Sequence, residues 1–207
     1  MNGVRASISV SIIVAAAALL SGCAEDHKTS IMEHPDLAVV WMASPVAASS
    51  PFHNGYGFFV SEDGLIVTSR HCLPEHGEIL VKLRDGRVRH ADFIEEDREA
   101  DVAIIQVHGG KFPFLKFQDE DSQPGQHFRI IAGAEVIHGI FDHWEDFGKE
   151  MELNAGAATL DCGAPVLADN GEVIGVVRWS RPVQETDCLA TPIWHIKRMM
   201  PRLGAAH

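Results

Sequence analysis

Positive charge is scarce in this chain. Its 17 lysines and arginines face 29 aspartates and glutamates, for a formal charge of −12. That balance leaves no nucleic-acid footprint and suits solubility. Repeats and low-complexity tracts are missing too, so the composition is that of a globular chain. No C-x-x-C pair occurs, which leaves a thiol–disulfide redox protein little support. Among the 12 histidines no recognised metal-ligand spacing occurs. The densest group, His138 and His143 with Asp142, Glu145 and Asp146, reads as a solvated acidic loop. Phe141, Trp144 and Phe147 in it read as local packing. Neither a metal nor an organic cofactor is expected. Helix signals are confined to the C-terminus.

What is present begins with a leader. Arg5 precedes the apolar stretch Ile8 to Leu20, which is too short to span a bilayer comfortably. Leu20-Ser21-Gly22-Cys23 resembles a bacterial lipoprotein signal. The resemblance implies that residues 1–22 are removed and that Cys23 carries lipid. Ala24 rather than Asp follows, so the periplasmic face of the outer membrane is the expected location. Residues 23–36 are polar and irregular and read as a tether. Cys72, Cys162 and Cys188 then remain, so at most one intramolecular bridge can form. Cys188 can bridge Cys162 or Cys72 or stay reduced; Cys72 reads as a buried structural thiol.

Downstream, Leu37 to Met42 is a short apolar run read as a buried strand. Three hairpins follow from paired apolar runs around turn residues: Gly57–Val60 with Leu65–Thr68 across Asp63-Gly64, Ile79–Leu83 with Val88–Phe93 across Asp85-Gly86, and Pro165–Leu167 with Val173–Val177 across Asn170-Gly171. Val102–Val107 is a further strand, with weaker ones at Phe128–Ala132, Gly139–Phe141 and Met151–Leu153. The acidic stretch Gln118–Gly125 reads as the link between two halves. At the end, Thr191 can cap a helix, Pro192 suits its first turn, and Ile193, Ile196, Met200 and Leu203 share a face. Many short strands and one terminal helix make an all-β barrel or sandwich.

Three residues carry the chemistry. His71 follows a strand directly, Asp101 precedes another, and Cys162 lies in Leu160-Asp161-Cys162-Gly163-Ala164-Pro165. Peptide hydrolysis uses these three types: an acid that fixes the imidazole tautomer, an imidazole that takes a proton, and a nucleophile that attacks the carbonyl. A cysteine beside an imidazole can form a thiolate–imidazolium pair.

The run Gly55 to His71 resembles the HtrA/Deg segment GSGFIIS-DG-ILTN-H. Leu83-Arg84-Asp85-Gly86-Arg87 and Ala100-Asp101-Val102-Ala103-Ile104-Ile105 are similar to L-S-D-G-R and T-D-L-A-V-L of that family, and His138-Gly139-Ile140-Phe141 to its S-G-I-V. Asp161-Cys162-Gly163-Ala164-Pro165-Val166 through Asn170 to Gly175 resembles N-S-G-G-P-L through D-G-E-V-I-G. The chain thus resembles trypsin-like peptidases, closest to the protease domain of the HtrA/Deg proteases, across residues 37–203. The resemblance implies two six-stranded antiparallel Greek-key barrels with a C-terminal helix. Its expected boundaries are 37–204 for the domain, about 37–118 and 124–192 for the barrels, and 193–203 for the helix. It implies an endopeptidase with catalytic His71, Asp101 and Cys162, and an oxyanion hole from the backbone N–H groups of Leu160 and Cys162. Trp179, Ser180 and Gly156 fall on substrate-binding positions, and the partner is a peptide or unfolded protein.

Several residues depart from the family pattern. Cysteine stands for serine at 162, Leu160 and Ala164 stand for glycines, and Arg178 stands where it can pair with Asp101. They motivate the alternative reading: a pseudoprotease that binds peptides or proteins without cleaving them.

Overall fold

The computed structural model describes residues 34–43, 55–155, 162–180 and 187–203. Twelve strands close into two barrels of six, all paired antiparallel. The first contains β1 (Val39–Ala43), β2 (Gly55–Phe59), β3 (Leu65–Ser69), β4 (Ile79–Lys82), β5 (Val88–Asp97) and β6 (Val102–Val107). The second contains β7 (His127–Ala132), β8 (Glu135–Glu145), β9 (Glu150–Asn154), β10 (Pro165–Ala168), β11 (Val173–Ser180) and β12 (Asp187–Pro192), followed by helix α1 (Ile193–Leu203). Strand order is β1-β2-β3-β6-β5-β4 in one barrel and β7-β8-β9-β12-β11-β10 in the other. The same connectivity therefore occurs twice in a chain whose sequence shows no repeat.

The apolar runs lack strict alternation because strands of the first barrel bury both faces. Along β3, Ile66 packs inside the first barrel with Val40, Phe59 and Ile105, while Val67 joins the other core with Phe58, Ile104 and Val166. Along β6, Ala103, Ile105 and Val107 point one way and Val102 and Ile104 the other. Burying a side chain of the size of Phe58, fully enclosed here, contributes about 1.5–3 kcal/mol. The faces turned away from the first barrel's interior form one continuous core with the second barrel.

All three hairpins are present, with pairs such as Phe58↔Val67, Leu80↔His90 and Val166↔Gly175. Four local expectations need correction. The strand foreseen from Leu37 begins at Val39, because Pro35–Ala38 form a 3-10 turn with Pro35 and Ala38 buried. The chain is therefore already packed at Pro35, before the tether was expected to end. The acidic stretch around His138–Asp146 is mostly strand rather than loop. β8 pairs with β7 on one side and β9 on the other, so its polar residues stand on a sheet surface. Within it Phe141 is fully buried and meets Trp144 edge to face, ring centres 4.9 Å apart. Finally, Thr191 does not cap α1. It lies within β12, and its hydroxyl donates to the Ala100 carbonyl at 2.6 Å.

Between β6 and β7 the chain crosses from one barrel to the other. The Leu115 N–H donates to the Phe59 carbonyl in the first barrel; in the second, the Val173 N–H donates to the Lys116 carbonyl and the Val173 carbonyl accepts from the Gln118 N–H. The seam is also pinned beside the site. Ser69 Oγ donates to the Val177 carbonyl at 2.8 Å, and the Tyr56 N–H to the Cys162 carbonyl at 2.8 Å.

Candidate active site

β3 delivers His71. After Ser69 the chain closes a 3-10 turn over Arg70–Cys72, which turns the His71 ring outward and the Cys72 thiol inward. The short connection from β5 to β6 delivers Asp101, whose φ of 54° lies in the left-handed region. That conformation costs on the order of 1 kcal/mol for a side-chain-bearing residue, and three bonds hold it. The Asp101 carbonyl accepts from the Arg70 N–H at 3.0 Å, its Oδ1 from the His71 N–H at 3.1 Å, and its Oδ2 faces His71 Nδ1 at 2.6 Å. With Nδ1 engaged by the carboxylate, Nε2 is left for a third group. Cys162 is that group: its side chain lies close enough to the His71 ring for each to shift the other's proton affinity. His71 and Asp101 come from the first barrel and Cys162 from the loop before β10.

Position 163 explains how that loop sits so close. Gly163 has φ 82°, and a Cβ there would lie 2.0 Å from the Tyr56 carbonyl oxygen and 2.8 Å from Thr68 Oγ1. The Gly163 N–H donates to the Val177 carbonyl at 2.7 Å, and Thr68 Oγ1 donates to that of Tyr56 at 2.6 Å. Only glycine lets the Cys162 loop rest on β2 in this way.

The electrostatics follow from these contacts. The Asp101 carboxylate, with the Cys162 sulfur, pushes the His71 imidazole up to about 10, against a smaller opposing effect of burial. Hydrogen bonds from Cys72 and His71 hold the Cys162 thiol down at about 5, although burial works the other way. Cys72 shifts upward for the complementary reasons, contact with Cys162 and burial. The two shifts run in opposite directions: the neighbouring thiol and imidazole favour the thiolate at Cys162, which is partly exposed, and burial favours the thiol at Cys72, 3% exposed. The closeness of these two cysteines is the feature that sequence reasoning missed: Cys72 reads there as a buried structural thiol, which it is, but not as a neighbour of Cys162. Gly55 is the available signal, since a Cβ there would stand 2.3 Å from Cys72 Sγ and 2.8 Å from the Cys162 carbonyl oxygen.

Cys72, Cys162 and Cys188 all carry unbridged thiols. Cys188 is buried on β12 opposite Leu153 and Ser180. Arg178 takes Glu150 as its main partner through NH1, while its Nε lies 4.0 Å from Asp101 Oδ2. It sits where the β11–β12 register shifts between Val177 and Trp179. Trp179 and Ser180 continue β11, their backbones opposite Leu189 and Cys188. Cys23, Gly156 and Leu160 lie outside the described residues.

One other group has metal-like spacing among the described residues. His143, Glu145 and Glu152 bring ligand atoms within 4.8 Å of one another. The β8–β9 register puts His143 opposite Glu152, a neighbour that sequence proximity could not reveal. His143 Nδ1 meets Asp142 at 2.8 Å and Nε2 meets Glu145 at 3.0 Å; these contacts raise its pKa and let the imidazolium balance the carboxylates. His138 is not part of the group.

Comparisons with known proteins agree with this architecture. The family model described as "Trypsin-like peptidase domain" matches residues 55–176. A probable periplasmic serine endoprotease DegP-like of Chlamydia trachomatis is 34% identical over 135 residues, covering 59% of this chain and 27% of that protein. Serine protease HTRA1 of Xenopus tropicalis is 33% identical over 144 residues, covering 61% and 31% respectively. The chain thus spans about a third or less of the length of these relatives. In structure it is similar to the serine endoprotease from Yersinia pestis, with a TM-score of 0.72 and 20% identity over 85% of this chain and 66% of that one. From its matched residues and its paired six-stranded barrels, this chain belongs to the trypsin-like peptidase domain family.

Proposed function

We propose that this protein is an endopeptidase that hydrolyses peptide bonds through a Cys162–His71–Asp101 triad. The observation that carries the reading is the His71–Asp101 pair, with Nδ1 and Oδ2 2.6 Å apart and the Cys162 side chain beside the ring. The Cys162 thiolate attacks the scissile carbonyl, a C–S bond forms, and the carbonyl oxygen takes the negative charge. The backbone N–H groups of Leu160 and Cys162, assigned by family resemblance, stabilise it. The imidazolium then gives its proton to the departing amine and leaves a thioester. Water attacks that thioester with His71 as base, releasing the acid and restoring the thiolate. Asp101 keeps the ring in the tautomer that both steps need.

The substrate class is peptides or unfolded proteins, with Trp179, Ser180 and Gly156 at the pocket that receives the side chain before the scissile bond. An uncharged floor at Gly156 suits an uncharged side chain. The leader and Cys23 support a lipid anchor in the bacterial envelope, and the DegP-like relatives are named periplasmic. A peptidyl electrophile should label Cys162. His71→Ala should slow that labelling at pH 7, by at most about 30-fold, because the imidazole is one of the groups that hold the thiol low and an ordinary thiol is only about 3% thiolate there. Equal labelling of both proteins would sink the triad.

The second reading is a peptide-binding pseudoprotease, favoured by the Arg178 guanidinium 4.0 Å from Asp101 Oδ2, where it competes with the imidazole for the carboxylate. Cleavage of an unfolded protein by the wild type, abolished by Cys162→Ala, excludes it.

A further inference from the structure

The established features of the site account for Cys162 but leave Cys72 without a task. A second thiol, buried in the first barrel's core, lies beside the nucleophile candidate: Cys162 packs against the cluster that holds Cys72, and a Cβ at Gly55 would lie 2.3 Å from Cys72 Sγ and 2.8 Å from the Cys162 carbonyl oxygen. A structural core cysteine has no need to meet a thiolate. The contact exists because the 3-10 turn after β3 aims Cys72 inward while His71 points out, and because Gly55 leaves the space between them open. Any side chain at position 55 would occupy the point where Cys72 Sγ and the Cys162 carbonyl converge.

We propose that Cys162 is a hydroperoxide-reactive modification site and that Cys72 is its resolving thiol, so that oxidation closes a reversible Cys72–Cys162 disulfide. An accessible thiolate next to a second thiol is the arrangement that favours sulfenic acid formation followed by disulfide capture over further oxidation. The steps balance with a small hydroperoxide as oxidant. The Cys162 thiolate attacks one peroxide oxygen and the O–O bond breaks. The leaving hydroxide takes the proton of the His71 imidazolium and departs as water, leaving Cys162 as a sulfenic acid. The Cys72 sulfur then attacks the Cys162 sulfur, the S–O bond breaks, and the hydroxyl leaves as a second water with the Cys72 proton. Two thiols are oxidised by two electrons and one peroxide is reduced to two waters. Thiol reductants reverse the bond. The chemistry stands on the side-by-side placement of Cys72 and Cys162. Its consequence, that the bridge removes the nucleophile and silences cleavage, rests on the proposed peptidase reading.

The test uses the reduced protein with about one equivalent of hydrogen peroxide and no peptide substrate. After quenching, remaining thiols are alkylated under denaturing conditions and peptides are identified by mass. The expected product is a Cys72–Cys162 cross-link lighter by two hydrogens, removed by dithiothreitol, with Cys162 consumed at least about tenfold faster than Cys188. In Cys72→Ala, Cys162 should instead be trapped by dimedone as sulfenic acid and pass on to sulfinic acid. Should that variant fail to fold, Cys162→Ala serves, where Cys72 should stay reduced at the same dose. Sulfinic acid at Cys162 of the wild type with Cys72 still alkylatable, or a bridge to Cys188, overturns the proposal. A Cys72–Cys162 bridge in a protein that cleaves no peptide would sink only the peptidase reading.

Discussion

At the scale of single residues, the site turns on how three groups divide two protons. With Cys162 held at about 5 and His71 at about 10, thiolate and imidazolium coexist between those limits. The sign follows for each. Below about pH 5 the sulfur takes a proton and cannot attack, so alkylation of Cys162 should rise through pH 5 rather than near the ordinary value of 9.0. Above about pH 10 the imidazole loses its proton; alkylation should persist, but cleavage should fall for want of an acid to protonate the amine. Rates of iodoacetamide modification, followed by mass at each cysteine from pH 4 to 10, check the first limit. A half-maximal rate near pH 9 at Cys162 would refute it. His71, Asp101 and Cys162 were legible in the sequence because each lies in a short motif fixed to a strand end. The Cys72–Cys162 contact was not, because their approach depends on a missing side chain at Gly55 and on a turn only three residues long.

At the scale of elements, hairpins were the easiest part to foresee. Asp63-Gly64, Asp85-Gly86 and Asn170-Gly171 mark turns locally, and the register follows from the turn. β8 was harder: its charged residues look like loop, and only pairing to both β7 and β9 makes it a strand. Thr191 shows the same limit in reverse. Its local signal for a helix cap is outcompeted by the Ala100 carbonyl, 91 residues away in sequence. The loop before β10 gives a sharper test. Gly163→Ala would force a left-handed residue against the Tyr56 carbonyl and should destabilise the fold by more than about 2 kcal/mol. Denaturant midpoints report it, and an unchanged midpoint would mean that the loop does not rest on β2.

At the scale of the whole molecule, two barrels of identical connectivity share one core and few polar clamps. Thr191→Val deletes the hydroxyl that joins β12 to Ala100 while nearly preserving volume. It should cost about 1–3 kcal/mol through the buried carbonyl left without this donor. Equilibrium unfolding in urea measures that loss, and a wild-type midpoint would show that the clamp contributes nothing. Amide exchange across β6 and β12 should rise together in the variant, since the clamp ties the two strands' barrels. The division of the site across that seam also orders events during synthesis. His71 and Asp101 emerge from the ribosome 61 residues or more ahead of Cys162, and domains generally fold from the N-terminus onward. Until β10 and the strands after it have joined the first barrel, the sulfur has no imidazolium beside it and remains an ordinary thiol. On the proposed reading, the growing chain carries His71 for 91 residues before Cys162 is made. On that reading, the reactivity of Cys162 waits for the second barrel to close on the first, and an incomplete polypeptide is spared its own chemistry.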